Sequence, residues 1–341
     1  MNTSPDPIDY EVAEKALLEI PDGPIRREAR AALYEKNCVV KYRRPNDNSI
    51  SALKDGKLFF STALGYNDPH DTLMYVNYQQ LNSTIMGSVS QAFPTYGEKQ
   101  PDKNAYNYIS SVLFKGLPAE KKGHYICEFL SHIRQDAEVA IQQVHDNVPG
   151  ICFSNNFLSP LMWAHYADSH KGFALLYDRN ELETASCFTE SGEQVKSRKK
   201  LYNIKYQAKR PNGTEFIEQY LLNQYLKEKN SRRRLHGANP IDSPDQHPFP
   251  QTQLREIILT KSIEWSYECE SRLLFRPITI EAECQKRYLI IKPRAIILGA
   301  KMDQDVKHKV SGIARELGCT LYEAWINNSL RDYNVVFQEV I

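Results

Sequence analysis

The residues best suited to chemistry fall into three blocks. The densest is Leu161-Met162-Trp163-Ala164-His165-Tyr166-Ala167-Asp168-Ser169-His170-Lys171-Gly172. Two histidines, a tryptophan and a tyrosine within eight residues suit recognition of a flat ring with polar edges. Taken singly, Trp163 and Tyr166 are as readily core residues, and His165 and His170 as readily satisfy local backbone; as a cluster they read as functional. The second block is Trp265-Ser266-Tyr267-Glu268-Cys269-Glu270-Ser271-Arg272-Leu273-Leu274-Phe275. Read as one strand, it projects Glu268, Glu270 and Arg272 from one face and sends Cys269, Ser271, Leu273 and Phe275 to the core. A carboxylate among such apolar flanks can stabilise developing positive charge or orient a hydroxyl. The third block comprises Lys41 and Arg43, on one face of an early strand, with Ser61 and Asn67-Asp68-Pro69-His70-Asp71 downstream. Arg grips phosphate bidentately, while Asn67 and Asp68 equally well build a turn.

The elements that must position these groups can be read from periodicity. Residues 6–37 show two helical patterns broken at Pro21-Asp22-Gly23-Pro24. Cys38–Arg43 alternates as a strand, residues 50–54 read as a short helix ending at Gly56, and Lys57–Thr62 as a second strand. Ser159 with Pro160 predicts the start of a short helix through Tyr166. Strands are expected at Ile151–Ser154, Gly172–Tyr177, Leu201–Tyr206, Tyr288–Ile291, Ala295–Gly299 and Thr320–Trp325. A helix from Asn212 to about Lys229 and one near 253–261 flank a proline-rich loop at 231–252, whose Ser231-Arg232-Arg233-Arg234 start reads as solvated. A further helix carries Val306, Val310, Ile313 and Leu317, with Gly318 as its stop. This mixed order predicts an α+β fold with a mixed sheet. The division expected is an N-terminal helical arm, 1–37, and an α+β domain, 38–341, with a mostly helical insertion at about 76–145.

Composition excludes rather than identifies. Forty-three basic against forty-two acidic residues leave no electrostatic footprint for nucleic acid. No stretch nears the roughly 20 apolar residues of a membrane span, and the polar start shows no signal region. The seven cysteines are scattered with no Cys-x-x-Cys pair. They read as reduced thiols of a cytoplasmic protein, with no metal expected. There is no Gly-x-Gly-x-x-Gly and no Walker loop.

Together the blocks resemble the bacterial domain-of-unknown-function family DUF2971. The residues carrying the resemblance are Val40-Lys41-Tyr42-Arg43, Gly56-Lys57-Leu58-Phe59-Phe60-Ser61, Asn67-Asp68-Pro69-x-Asp71 and Cys152-Phe153-Ser154. They continue with Met162-Trp163-x-His165-Tyr166-Ala167, His170-Lys171-Gly172-Phe173, Lys261, Trp265-x-x-Glu268-x-Glu270-x-Arg272 and Ile296–Met302. The layout is similar to that of ADP-ribosyltransferases. That similarity implies NAD as co-substrate and a macromolecular acceptor, and it suggests a role in bacterial conflict or phage defence. Carried over by position, it gives Arg43 and Lys41 the phosphates or ribose, and Tyr166 or Trp163 the nicotinamide. It makes Glu270 the stabiliser of an oxocarbenium-like ribose and Glu268 the residue that orients the acceptor. Ser61, Asn67, Asp68, His165, His170 and Arg272 complete the expected wall. Two readings stand beside it: a non-enzymatic sensor of a nucleotide-like ligand in the same pocket, and a metal-dependent hydrolase or nuclease using His165, His170, Asp68 and the two glutamates.

Overall fold

The computed structural model describes residues 32–82, 118–235, 237, 251–280, 285–326 and 335–340. The expected helices before residue 32 and residues 83–117 of the expected 76–145 insertion lie outside the described residues. In chain order the elements are β1 (Cys38–Arg43), α1 (Asp47–Lys54), β2 (Lys57–Phe59), α2 (Ala119–Asn147), β3 (Gly150–Ser154) and α3 (Pro160–Tyr166). β4 (Phe173–Asp178), α4 (Arg179–Thr184), β5 (Ser186–Thr189), β6 (Arg198–Asn203), β7 (Lys205–Gln207) and α5 (Thr214–Leu235) follow. Then come α6 (Gln251–Ile258), β8 (Thr260–Ser262), a 3-10 turn (Ile263–Glu268), β9 (Glu270–Arg276), β10 (Arg287–Ile290) and β11 (Ala295–Leu298). The order closes with α7 (Gln304–Leu317), β12 (Thr320–Trp325) and β13 (Val336–Glu339).

The architecture is α+β. Its main sheet has eight strands in the order β13-β12-β11-β4-β1-β3-β9-β6 and is mixed, since β11 and β12 run parallel while their neighbours pair antiparallel. A three-stranded sheet, β2-β10-β5, covers part of one face. The strand period sorts side chains between two cores. Val39, Phe153, Leu175, Leu273 and Phe275 join Leu58 and Leu289 of the small sheet on one side. Cys38, Val40, Tyr42, Ala174 and Leu176 pack with Trp163 of α3 on the other. A third cluster joins α2 (Ala137, Ala140, Val144) to α5 (Phe216, Ile217) and α6 (Leu254, Ile257, Ile258). Met74, Val76 and Leu81 belong to that cluster too, so the described part of the expected insertion is packed into the body of the protein.

Several local expectations need correction. Glu268 is not on the strand: it ends a 3-10 turn, and Cys269 at φ 45° turns the chain before β9 begins at Glu270. Cys269 is consequently exposed rather than in the core. The face of β9 bearing Glu270 and Arg272 is buried along with the opposite one. Leu201–Tyr206 is two strands, β6 and β7, separated at Ile204, whose amide donates to the Glu270 carbonyl at 2.9 Å in line with the β6–β9 register. The expected strand Lys57–Thr62 stops at Phe59, after which Ser61 makes only an isolated bridge to Gly150. The run 231–234 extends helix α5 instead of opening a loop, and the next helix starts at Gln251, inside the stretch expected to be loop.

One break in the main sheet makes room for a site. β1 pairs with β4 through six consecutive residues, and β3 pairs with β9 through five. Between β1 and β3, however, the only registered pair is Val40↔Ser154. Beyond Val40 the two strands part, and the sheet opens into a cleft.

Candidate functional site

The cleft has a volume of about 400 Å³, in the range of small-molecule sites. Lys41, Arg43 and Arg44 of β1 and its exit form one wall. Cys152 and Ser154 of β3, with Ser61, Tyr66 and Asn67 from the loop after β2, contribute further lining. His165 and Tyr166 of α3 and the trio Lys261, Glu268 and Glu270 complete it.

The floor is a buried ionic cluster with two cations set among three carboxylates. Lys261 Nζ lies 2.5 Å from Glu268, 3.2 Å from Glu270 and 3.6 Å from Asp71. Arg272, 1% exposed, donates from Nε to Glu270 at 2.6 Å, from Nη2 to Asp71 at 2.6 Å and from Nη1 to the Ile258 carbonyl at 2.7 Å. Its guanidinium also lies over the Tyr66 ring, 5.2 Å from the centroid. Lys261 lies 4.9 Å from the centre of the Trp265 ring. The Tyr166 hydroxyl donates to Glu268 Oε1. The Tyr206 hydroxyl accepts from the Glu270 amide at 2.6 Å. Burying such charges requires this degree of pairing.

The two glutamates are driven in opposite directions. Burial raises the pKa of both. For Glu270 that tendency is overcome by the charge and hydrogen bonds of Arg272 and by Lys261, which hold it at about 2. For Glu268 burial wins, with the Glu270 charge adding to it, so its carboxyl stays above the usual range despite Lys261 and Tyr166. Neighbouring carboxyls split in this way can separate a fixed anion from a proton acceptor. Burial foremost, then Glu268, pushes the Tyr166 phenol well up, keeping it a donor. Burial, with the Glu270 charge, likewise lifts the Cys152 thiol to about 12.

The basic wall is built differently. Lys41 Nζ donates to the Cys152 carbonyl at 2.6 Å, bridging the gap where the β1–β3 ladder has ended. Burial lowers it, and Arg43 beside it lowers it further, to about 8. Burial also lowers Arg43. Among the described residues neither Lys41, Arg43 nor Arg44 forms an ion pair. The wall is therefore an uncompensated cationic surface facing the cleft.

Helix α3 is seated by Ser159, whose Oγ accepts from the Met162 amide at 3.4 Å, with Pro160 in the first turn. The chain leaves α3 through Asp168, Ser169 and His170, all left-handed at φ 47°, 54° and 70°. Gly172 then passes so close to β1 that a Cβ there would sit 2.0 Å from the Arg43 carbonyl oxygen. That approach couples α3 to the position of Arg43.

The cleft thus brings together Lys41, Arg43, Ser61, Asn67, His165, Tyr166, Glu268 and Glu270 of the residues expected from sequence. The remaining four lie behind its lining. Trp163 is core: fully buried, it donates from Nε1 to the Phe157 carbonyl at 3.1 Å and meets Tyr42 edge-on at 5.2 Å, which removes it as a ligand-stacking ring. His170 stacks on Trp163 at 6.1 Å, with burial and then Lys301 depressing its pKa. Asp68 is 3% exposed and accepts from the His70 amide at 2.9 Å, the turn-building role its sequence allowed. Arg272 is the buried counter-ion described above. The metal reading finds no geometry here: among the described residues no group of three or more His, Cys, Asp or Glu is arranged to hold an ion. Lys261 and Asp71 were in the motif yet not among the expected site residues, and Tyr66 and Cys152 were missed as lining. The signal available for Lys261 was its spacing, seven and nine residues ahead of the two glutamates it pairs with.

No helix among the described residues is long and apolar enough to cross a membrane. No curated protein matches the chain, and no solved structure matches it. Residues 162–273 match the sequence model of a family described as Protein of unknown function (DUF2971). That matched span runs from the helix of Tyr166 to the strand of Glu270 and Arg272, so it takes in Lys261 and both glutamates on the acidic side of the cleft.

Proposed function

We propose that the cleft binds NAD and that the protein transfers its ADP-ribosyl group to a macromolecular acceptor. One observation carries this reading: two neighbouring glutamates of opposite acidity stand at the foot of a cleft whose other wall is an unpaired cationic surface. Arg43 and Arg44 suit the pyrophosphate, which needs guanidinium donors not already committed to carboxylates. Glu270, ionised throughout the physiological range, offers negative potential to the oxocarbenium-like ribose that forms as the bond to nicotinamide breaks. Glu268, with its raised pKa and its Tyr166 partner, is suited to take the proton of the incoming acceptor. The aromatic wall left for nicotinamide is Tyr166 and Tyr66, since Trp163 is enclosed. The described cysteines are free thiols, which fits a cytoplasmic setting, and a role in bacterial conflict or phage defence follows from the same resemblance. Incubation with nicotinamide-labelled NAD tests the reading. The protein should release nicotinamide, and Glu270→Gln should stop it. Absence of binding and turnover at millimolar NAD overturns it.

A second reading has its own observation. Every carboxylate oxygen of Glu268 and Glu270 already accepts a bond, from Tyr166, Lys261 or Arg272. A floor so committed suits a binder that senses a nucleotide without cleaving it. Raised thermal stability with a nucleotide, in the absence of any nicotinamide release, is the result that separates this reading from the first.

A further inference from the structure

Lys41 has chemistry that phosphate binding does not use. Its Nζ projects where β1 and β3 part, donates to the Cys152 carbonyl at 2.6 Å and lies 5.8 Å from the centre of the Phe153 ring. The contrast with Lys261, ringed by three carboxylates, is direct: among the described residues no carboxylate forms an ion pair with Lys41. The charged and titratable groups that act on it are Arg43 on its own strand, Cys152 on β3 and Glu270 on β9. Burial and Arg43 outweigh the other two, which leaves the amine a far larger unprotonated share at neutral pH than a surface lysine has. Arg43 follows on the same face of the strand, roughly 7 Å away, and Arg44 lines the cleft beyond it. An amine nucleophile and a pair of free guanidinium groups therefore line one cavity.

We propose that this wall captures small phosphorylated carbonyl compounds, the Lys41 amine forming an imine while Arg43 and Arg44 hold the phosphate. The neutral amine attacks the carbonyl carbon, and its two protons pass to the carbonyl oxygen. That oxygen leaves as water when the C=N bond forms, so no oxidant or reductant is required. The step uses the basic wall and does not depend on any reaction at the glutamates.

Pyridoxal 5′-phosphate is a suitable probe, with borohydride reduction and peptide mass mapping to locate the adduct. Near neutral pH and in the absence of NAD, Lys41 should be labelled roughly tenfold or more above the mean of the surface lysines. Pyridoxal, which lacks the phosphate, should lose that preference. Arg43→Gln should lose it too, and Arg43→Lys, which keeps the charge, should restore much of it. Labelling spread evenly over the lysines overturns the proposal, as does a Lys41 adduct formed equally well from pyridoxal. Because the readout is an adduct mass on the wild-type protein, the result is independent of nicotinamide release.

Discussion

The two sides of the cleft solve opposite problems. On the acidic side three carboxylates and two cations are mutually satisfied, almost wholly buried and fixed by Tyr166 and Tyr206. On the basic side three cations meet no carboxylate among the described residues. A compensated cluster is stable before any ligand arrives, whereas an uncompensated one gains most when an anion binds. The acidic floor therefore belongs to the fold as much as to the site, and the basic wall belongs chiefly to the ligand.

That contrast can be broken from either side. The largest effect is expected for Arg272→Met, which leaves Glu270 and Asp71 buried without their main cation. A loss of about 3–5 kcal/mol in denaturant unfolding is expected, and a loss under about 1 kcal/mol would mean the floor is not the integral unit described. Acid should expose the same unit. Glu270 is lowered from an ordinary 4.5 to about 2, so between those values the unfolded chain binds the proton and the folded one does not. Its contribution, on the order of 3 kcal/mol, is complete above the upper value and lost as pH falls through the lower. Unfolding measured across that window should show a steep acid limb in the wild type and a shallower one in Glu270→Gln. The basic wall should behave inversely. Arg43→Gln should change stability by about 1 kcal/mol or less, yet weaken nucleotide binding roughly tenfold or more in calorimetry. Equal losses of stability and affinity would erase the distinction between the two walls. The smallest effect is chemical: Cys152, its thiol held up to about 12, should stay unmodified by iodoacetamide under conditions that label the exposed Cys269.

Much of this arrangement was legible in the sequence because two periodicities carry it. The alternation through Cys38–Arg43 separated Tyr42, which packs into the core, from Lys41 and Arg43. Ser159-Pro160 placed the start of α3. What stayed illegible was set by tertiary contacts. Nothing local to Trp163 shows that it is enclosed by Tyr42 and His170 while its neighbour Tyr166 reaches the cleft. Glu268 sits beside Glu270 through a left-handed turn at Cys269, a conformation rare for a non-glycine residue, and pattern reading extends the strand straight through it. Lys261 looked like the end of a helix, although it is the cation that binds three carboxylates together. Its partners lie as far away in sequence as Asp71.

The parting of β1 from β3 gives a single strand two clocks. Along β1, alternate amides point towards β4, where pairing runs through six residues, and the rest point towards β3, where registered pairing ends at Val40. Deuterium should therefore enter β1 in an every-other-residue rhythm past Val40, slow on the β4 side and fast on the cleft side. A ligand that fills the cleft would slow only the fast half of that rhythm, so the amides of β1 would report occupancy without any label on the ligand.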